Sequence, residues 1–211
     1  MRAIVFDLDD TLYLERDYVR SGFREVGMWV KKNLSIENFE QSAWRLFEEG
    51  HRGHIFDELI PDKSAISKLV EVYRNHIPDI TLPPDAQRCL SELRGRVHLG
   101  LITDGVLQSQ KNKLTSLRLE TCFDLAILNE PQFCKPHVSA FEEMQKTMAT
   151  DDLTYIADNP AKDFLTPNRM GWKTIRVRRP AGLHFEVVKE GDYAAQLEVP
   201  DLTRLSLSTL K

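Results

Sequence analysis

The stretch Ala3-Ile4-Val5-Phe6-Asp7-Leu8-Asp9-Asp10-Thr11 decides the fold. Four β-prone apolar residues stop abruptly at an acidic cluster, which reads as a buried strand delivering carboxylates to its C-terminal edge. Open α/β sheets keep their chemistry at that edge. Four later runs have the same character: Val97 to Ile102, Leu125 to Leu128, Leu153 to Ala157 and Lys173 to Val177. Segments of helical period lie between them. Pro83 and Pro84 suit a helix start, with Ala86, Leu90 and Leu93 on one face. Leu107, Leu114 and Leu117 form a second stripe, and Val138, Phe141, Met144 and Met148 a third. Strands alternating with helices in this way predict βαβ units and a parallel, doubly wound sheet.

The alternation has one long exception. From about Leu14 to Leu82 there is no strand signal but three amphipathic stripes: Val19, Phe23, Val26 and Val30; Ile36, Phe39, Ala43 and Phe47; Ile66, Leu69, Tyr73 and Ile77. This is a helical insertion, with Ser35 and Asp62 as expected N-caps, and Pro78, Pro83 and Pro84 break the pattern where the chain returns to the core. The tail from Ala181 is weakly patterned, and Asp201 to Leu210 reads as a short docking segment.

A chain of 211 residues suits one compact core with a modest insertion rather than two large domains. Lys and Arg total 28 against 32 Asp and Glu, so the net charge of −4 disfavours a nucleic-acid partner. No apolar run approaches the roughly 18 residues of a membrane span, and Asp7 interrupts the N-terminal apolar stretch before it could serve as a signal-peptide core. Cys89, Cys122 and Cys134 cannot all pair and lack zinc-like spacing. The expectation is a soluble, cytoplasmic protein with reduced thiols.

Asp7 and Asp9 lie two apart just beyond a strand, where both can face one pocket. Such a pair suits covalent phosphoryl chemistry: one carboxylate attacks phosphorus while its neighbour protonates the leaving oxygen and later activates water. The pair needs a cation. Thr103 in Ile-Thr-Asp-Gly, Lys135 in Cys-Lys-Pro-His, and Asp158 with Asp163 in Ala-Asp-Asn-Pro-Ala-Lys-Asp answer that need, each at the end of a predicted strand or in the loop after it.

Taken in order, Asp7-Leu8-Asp9-Asp10-Thr11, Thr103, Lys135 and the Asp158, Asp163 pair resemble the four motifs of the haloacid dehalogenase superfamily, over roughly Arg2 to Val177. The insertion resembles that superfamily's helical cap of the first type. The implied architecture is α/β: a Rossmann-like parallel-sheet core, residues 1–13 and 84–211, with an inserted all-α cap, residues 14–83. The resemblance implies Asp7 as nucleophile and Asp9 as general acid/base. Thr103, with Asp104 and Gly105 beside it, and Lys135 would bind the phosphoryl group. Asp7, the Asp9 carbonyl and Asp158 would hold Mg²⁺, with Asp163 supporting the metal shell or orienting Lys135. Hard oxygen ligands select Mg²⁺ over zinc, and a phosphate dianion approaching these carboxylates needs both cations. One departure is Ala157, where the fourth motif usually has Gly; little loss is expected from so small a change.

The superfamily's dehalogenases lack a carboxylate at the place of Asp9, because halide leaves without a proton, so Asp9 points to phosphoryl transfer. Asp7 to Tyr13, Asp158-Asn159-Pro160 and Gly171-Trp172-Lys173 are most similar to the acylneuraminate-9-phosphatase and nucleotidase-like branch. The implied function is a Mg²⁺-dependent phosphomonoester hydrolase of a small phosphorylated metabolite: a sugar, sugar acid or nucleotide. A phosphomutase or phosphotransferase would use the same aspartyl phosphate. A phosphoacceptor signalling domain would instead carry its Asp after a middle strand, without a cap, and the intact carboxylate set argues against a non-catalytic binding relative.

Plainer roles suit other residues. Asp10 reads as structural and Thr11 as a local hydrogen-bonding residue. His51 and His54 flank Arg52-Gly53 in a turn without a third metal ligand. Trp29 and Trp44 read as helix packing, and Cys134 lacks a base to activate it. Arg52 is either a solvated turn residue or a reader of the substrate's anionic remainder.

Overall fold

The computed structural model describes residues 1–129, 134–207 and 209. Among these, β1 (Ala3–Phe6), β2 (His98–Asp104), β3 (Leu125–Asn129), β4 (Leu153–Ala157), β5 (Lys173–Val177) and β6 (Leu197–Val199) form one sheet of order β3-β2-β1-β4-β5-β6. Every neighbouring pair is parallel. Ile4 sits opposite Leu99 on one side and Thr154 on the other, which makes β1 a central strand with neighbours on both edges. Buried on both faces, β1 and β4 need continuous apolar runs rather than alternation, and all their residues are buried. The strand order reverses at β1, and open α/β sheets of this topology bind ligands beyond the carboxyl ends of the strands at such a point.

Four helices belong to the same unit: α5 (Pro84–Leu93), α6 (Leu107–Leu117), α7 (Ser139–Met148) and α8 (Leu165–Arg169). Pro84 opens α5 at a position that needs no backbone donor. Phe141 and Met144 of α7 join Val5, Ile102 and Trp172 in the core, with Phe141 edge-on to Tyr155 at 5.2 Å and to Trp172 at 5.6 Å. Details of the expected elements differ, and Leu107 at the start of α6 is 40% exposed. Val138 is the N-cap of α7 and 39% exposed rather than a core position, and Val97 lies outside β2, which instead runs on to Asp104.

The tail contains more structure than its pattern suggests. β6 adds a parallel edge strand, and a 3₁₀ turn at Leu202–Arg204 follows. The Leu202 N–H donates to Asp85 of α5 at 3.0 Å, Arg88 donates to the Thr203 carbonyl, and Leu202 and Leu205 are buried. Ser208 and Leu210 of the expected docking segment lie outside the described residues.

The chain divides into two compact units, Met1–Glu15 with Thr81–Lys211, and Arg16–Ile80. The second is helical: α1 (Glu15–Leu34, which begins in the first unit), α2 (Phe39–Glu48), α3 (Ile55–Leu59) and α4 (Ile66–Asn75). Val19, Phe23, Val26 and Val30 are buried along α1, and Phe23 meets Phe47, Phe56 and Tyr73 at ring distances of 6.0 to 6.2 Å. Gly22 permits this packing, since a Cβ there would lie 2.3 Å from the Tyr73 ring. Asp62 caps its turn through the Ser64 N–H, but Ser35 is no cap: it has a left-handed φ of 55° after α1, and Asn38 precedes α2. Ile36 and Ile77 fall outside the helices. Among the described residues no helix is long and apolar enough to cross a membrane.

Candidate active site

Asp7 leaves β1 with its N–H donating to the Ile156 carbonyl of β4 at 2.9 Å, so the sheet ladder itself fixes the start of the acidic loop. The loop turns at Asp10, which takes a left-handed φ of 52°, a conformation that Asp tolerates better than most residues. Asp10 Oδ1 accepts from the Glu15 N–H at 2.9 Å and Oδ2 from the Leu183 N–H at 2.7 Å, so Asp10 ties the loop to α1 and to the tail. The Thr11 carbonyl accepts from Arg179, whereas the Thr11 hydroxyl, expected to bond locally, is buried without a partner among the described residues.

Lys135 is the centre of the acidic cluster. Its ammonium, with no exposed side-chain area, lies 2.6 Å from Asp7 Oδ1, 2.8 Å from Asp163 Oδ1 and 3.0 Å from the Tyr155 hydroxyl. Burial alone would favour the neutral amine, but Asp163 and Asp7 outweigh it and hold the Lys135 pKa well above its ordinary value. One ammonium cannot satisfy the whole cluster. Burial, only partly offset by Lys135, pushes Asp7 up to about 6, and burial together with Asp163 and Asp7 raises Asp158 well above the carboxylate range.

Asp7, Asp158 and Asp163 each place one carboxylate oxygen within 4.8 Å of the others, all three residues being buried. Asp158 is also held through its carbonyl, which accepts from the buried Arg176 at 2.9 Å. The Asp163 Oδ2 accepts from the Asn159 N–H at 2.8 Å, which orders the loop after β4. Ala157 is fully buried at the end of β4 without a left-handed φ, so the usual Gly is not required there.

Asp9 stands apart from that trio. Its two oxygens each lie 2.8 Å from the Lys113 ammonium of α6, and the Tyr13 hydroxyl donates to Oδ1. Burial would raise its pKa, but the charge and hydrogen bonds of Lys113 and the Tyr13 hydroxyl outweigh it and hold Asp9 below the ordinary carboxylate value.

Thr103 is buried near the end of β2, its hydroxyl 3.4 Å from Gln110 Oε1, and Gln110 Nε2 donates to the Asp104 carbonyl at 2.8 Å. Gly105 has a φ of 136°, and a Cβ there would meet the Gln110 amide at 2.4 Å. The Asp104 carboxylate accepts from Asn129 at 3.1 Å and from the Lys135 N–H at 3.2 Å, and pairs with Lys162 at 3.2 Å. It therefore locks the second-motif turn to the Lys135 loop.

Arg52 lies in the helical unit, where its guanidinium donates to the Phe47 and His51 carbonyls at 2.7 Å and stacks 4.0 Å from the Phe47 ring. It lines a cavity of about 260 Å³ there with Phe23, Phe56, Tyr73 and Arg74. His51 pairs with Glu58 at 2.9 Å. Trp44 stacks on Phe47 at 5.3 Å beneath Arg16 and Arg20.

Sequence reasoning missed Tyr13, Gln110, Lys113 and Lys162. Gln110 and Lys113 carried a signal: three apart, they are buried polar residues within the stripe that Leu107, Leu114 and Leu117 define.

The profile of the haloacid dehalogenase-like hydrolase family matches residues 4–177. The glyceraldehyde 3-phosphate phosphatase of Methanocaldococcus jannaschii is 29% identical, covering 92% of each chain. The protein of the same name from Methanopyrus kandleri is 27% identical, over 85% of this chain and 84% of its own. Neither carries the acylneuraminate or nucleotidase name. The HAD-hydrolase YfnB of Bacillus subtilis, in a structure bound to magnesium, has a TM-score of 0.70 at 19% identity over 95% of both chains. A HAD phosphatase from Thermococcus onnurineus has a TM-score of 0.62 at 19% identity, over 96% and 94% of the two chains. The chain belongs to the haloacid dehalogenase-like hydrolases and is an enzyme of their phosphatase kind.

Proposed function

We propose that the protein is a Mg²⁺-dependent phosphomonoester hydrolase of a small phosphorylated metabolite, working through an aspartyl phosphate on Asp7. The observation that carries this reading is the placement of two carboxylates, two residues apart, against two different lysines. Asp7 is buried against Lys135 inside the carboxylate trio, whereas Asp9 is held by a different lysine. The two acids can therefore take separate roles, Asp7 inside the cluster and Asp9 beside it.

The trio fits a hard divalent cation: its donors are all carboxylate oxygens, and the Lys135 ammonium pairs with Asp7 and Asp163 of the three acids. Asp7, Asp158 and Asp163 would hold the ion, which when bound neutralises the carboxylates and the incoming phosphoryl oxygens. Lys135 fixes the Asp7 carboxylate for attack, and Thr103 offers its hydroxyl to a phosphoryl oxygen. Asp7 forms the bond to phosphorus as the leaving oxygen departs with a proton from Asp9. Water then attacks phosphorus, Asp9 takes its proton, and Asp7 is released as carboxylate. Arg52 is a candidate reader of the substrate's remainder.

The names of the two archaeal relatives place triose phosphates first among the substrates to try. Phosphate release is measured on glyceraldehyde 3-phosphate, sugar phosphates, sugar-acid phosphates, nucleotides and phosphoglycolate. Release that stops on chelation and returns with Mg²⁺ supports the reading. Full activity after exhaustive chelation overturns the metal dependence, and transfer to an added alcohol with little release to water makes the enzyme a phosphotransferase.

A further inference from the structure

Helix α6 supports both halves of the site from behind. Gln110 braces Thr103 and the Asp104 carbonyl, and one turn later Lys113 reaches Asp9. The Lys113 side chain is 4% exposed and that of Asp9 18%, so the ammonium is the more deeply buried partner of the pair. An ammonium buried to that degree is strongly disfavoured unless its charge and hydrogen bonds are matched. Here it sits at equal distances, 2.8 Å, from both oxygens of one carboxylate. The Tyr13 hydroxyl, buried in the same loop, makes the third contact. A free aspartate rotates about two side-chain bonds, and proton transfer requires its oxygen to stay within hydrogen-bond reach of the reacting atom.

We propose that Lys113, seconded by Tyr13, is a positioning residue that holds the Asp9 carboxyl for its two proton transfers. The proposal rests on the reading of Asp7 as nucleophile and Asp9 as acid/base. In the first step the Asp7–phosphorus bond forms, the phosphorus–oxygen bond to the alcohol breaks, and the Asp9 proton passes to that oxygen. In the second, water adds to phosphorus, the phosphorus–Asp7 bond breaks, and the water proton returns to Asp9. Lys113 exchanges no proton in either step; it fixes the plane of the Asp9 carboxyl, and Tyr13 on Oδ1 leaves Oδ2 the less engaged oxygen.

The test uses the full chain with Mg²⁺ and two substrates, glycerol phosphate with its poor leaving group and p-nitrophenyl phosphate, whose leaving group needs no proton. Lys113→Met is expected to lower kcat on glycerol phosphate by roughly 100-fold, the scale of a mispositioned acid, with KM changed by less than about threefold. On p-nitrophenyl phosphate the first step survives, so a pre-steady-state burst of nitrophenol appears and phosphoenzyme accumulates, because the second step still needs Asp9. Lys113→Arg, which offers two donors to one carboxylate, restores glycerol phosphate turnover to within about tenfold of wild type. Tyr13→Phe gives the same leaving-group pattern at roughly three- to tenfold loss, and decides the matter if Lys113→Met does not fold.

Equal losses on both substrates without a burst, or no loss on either, would overturn the proposal. Asp9→Asn run in parallel separates the two layers. If Asp9→Asn shows the leaving-group pattern and neither the Lys113 nor the Tyr13 variants do, the positioning role fails alone. If Asp9→Asn hydrolyses glycerol phosphate normally, the acid/base reading has failed first.

Discussion

Two lysines are buried beside the carboxylates that follow β1, and they leave the acids beside them in opposite states. Lys135 is divided between Asp7 at 2.6 Å and Asp163 at 2.8 Å, with Asp158 close by, and Asp7 remains pushed up to about 6. Lys113 lies against both oxygens of Asp9, and Asp9 is held below its ordinary value. Burial raises both acids, so the difference comes from the charge count around each. The Asp7 cluster is short of positive charge, whereas the Asp9 pair is close to balance.

The largest effect that can break this comparison comes from Asp7→Asn. It conserves volume but removes the proposed nucleophile, and turnover is expected to fall by roughly 10⁴-fold or more with the circular dichroism spectrum unchanged. Phosphate release within tenfold of wild type would remove Asp7 from the chemistry. Next comes Lys135→Met, which strands the carboxylate trio and is expected to destabilise the metal-free fold by about 3 to 5 kcal/mol. Urea denaturation in chelator measures the loss, and millimolar Mg²⁺ should recover part of it. A loss unchanged by Mg²⁺ would mean that the trio does not take the ion.

A smaller effect follows from pH. A carboxyl whose folded pKa is raised binds its proton more tightly folded than unfolded. The stability Asp7 contributes is therefore complete below 3.8 and is lost as pH rises through about 6. That rise corresponds to about 3 kcal/mol. Asp10 and Glu15, pushed up to about 6 and about 7 by burial, act in the same direction, while Asp9, held low, acts in the opposite one as pH falls. Metal-free protein should thus lose melting temperature between pH 4 and 7, and Mg²⁺ or Asp7→Asn should flatten the slope. A slope identical in chelator and in Mg²⁺ would contradict the charge-deficit reading.

The smallest effect concerns Arg52, which donates to two carbonyls and stacks on Phe47. Arg52→Ala should lower kcat/KM for the physiological substrate by roughly tenfold, one charged contact, while barely changing p-nitrophenyl phosphate hydrolysis. Equal losses on both would make Arg52 a support of its own helical unit.

Much of the architecture was legible because burial writes itself into short runs. β1 and β4 coincide with the apolar runs at Ala3 and Leu153, since central parallel strands are buried on both faces, and β5 keeps its bounds although it carries Thr174 and the buried Arg176. β6 escaped notice because it has three residues and Leu197 is 49% exposed, so an edge strand left no hydrophobic signature. The stripes of α1, α2 and α4 were visible, but Ile36 and Ile77 extended them too far, because periodicity does not mark where a helix stops. The motif positions were legible as polar residues closing apolar runs. Lys113 was not, since a lysine in a helix ordinarily belongs to its solvated face.

Position along the chain was thus enough for the parallel sheet, the helical insertion and the acids at the strand ends, because each depends on neighbours a few residues away. The pairing of cations with acids depended on the folded chain: Lys113 reaches Asp9 across 104 residues and Lys135 reaches Asp7 across 128. Electrostatic state follows distance and burial in space, so identical aspartates two residues apart acquire opposite pKa shifts only once the sheet and α6 have brought a different lysine to each.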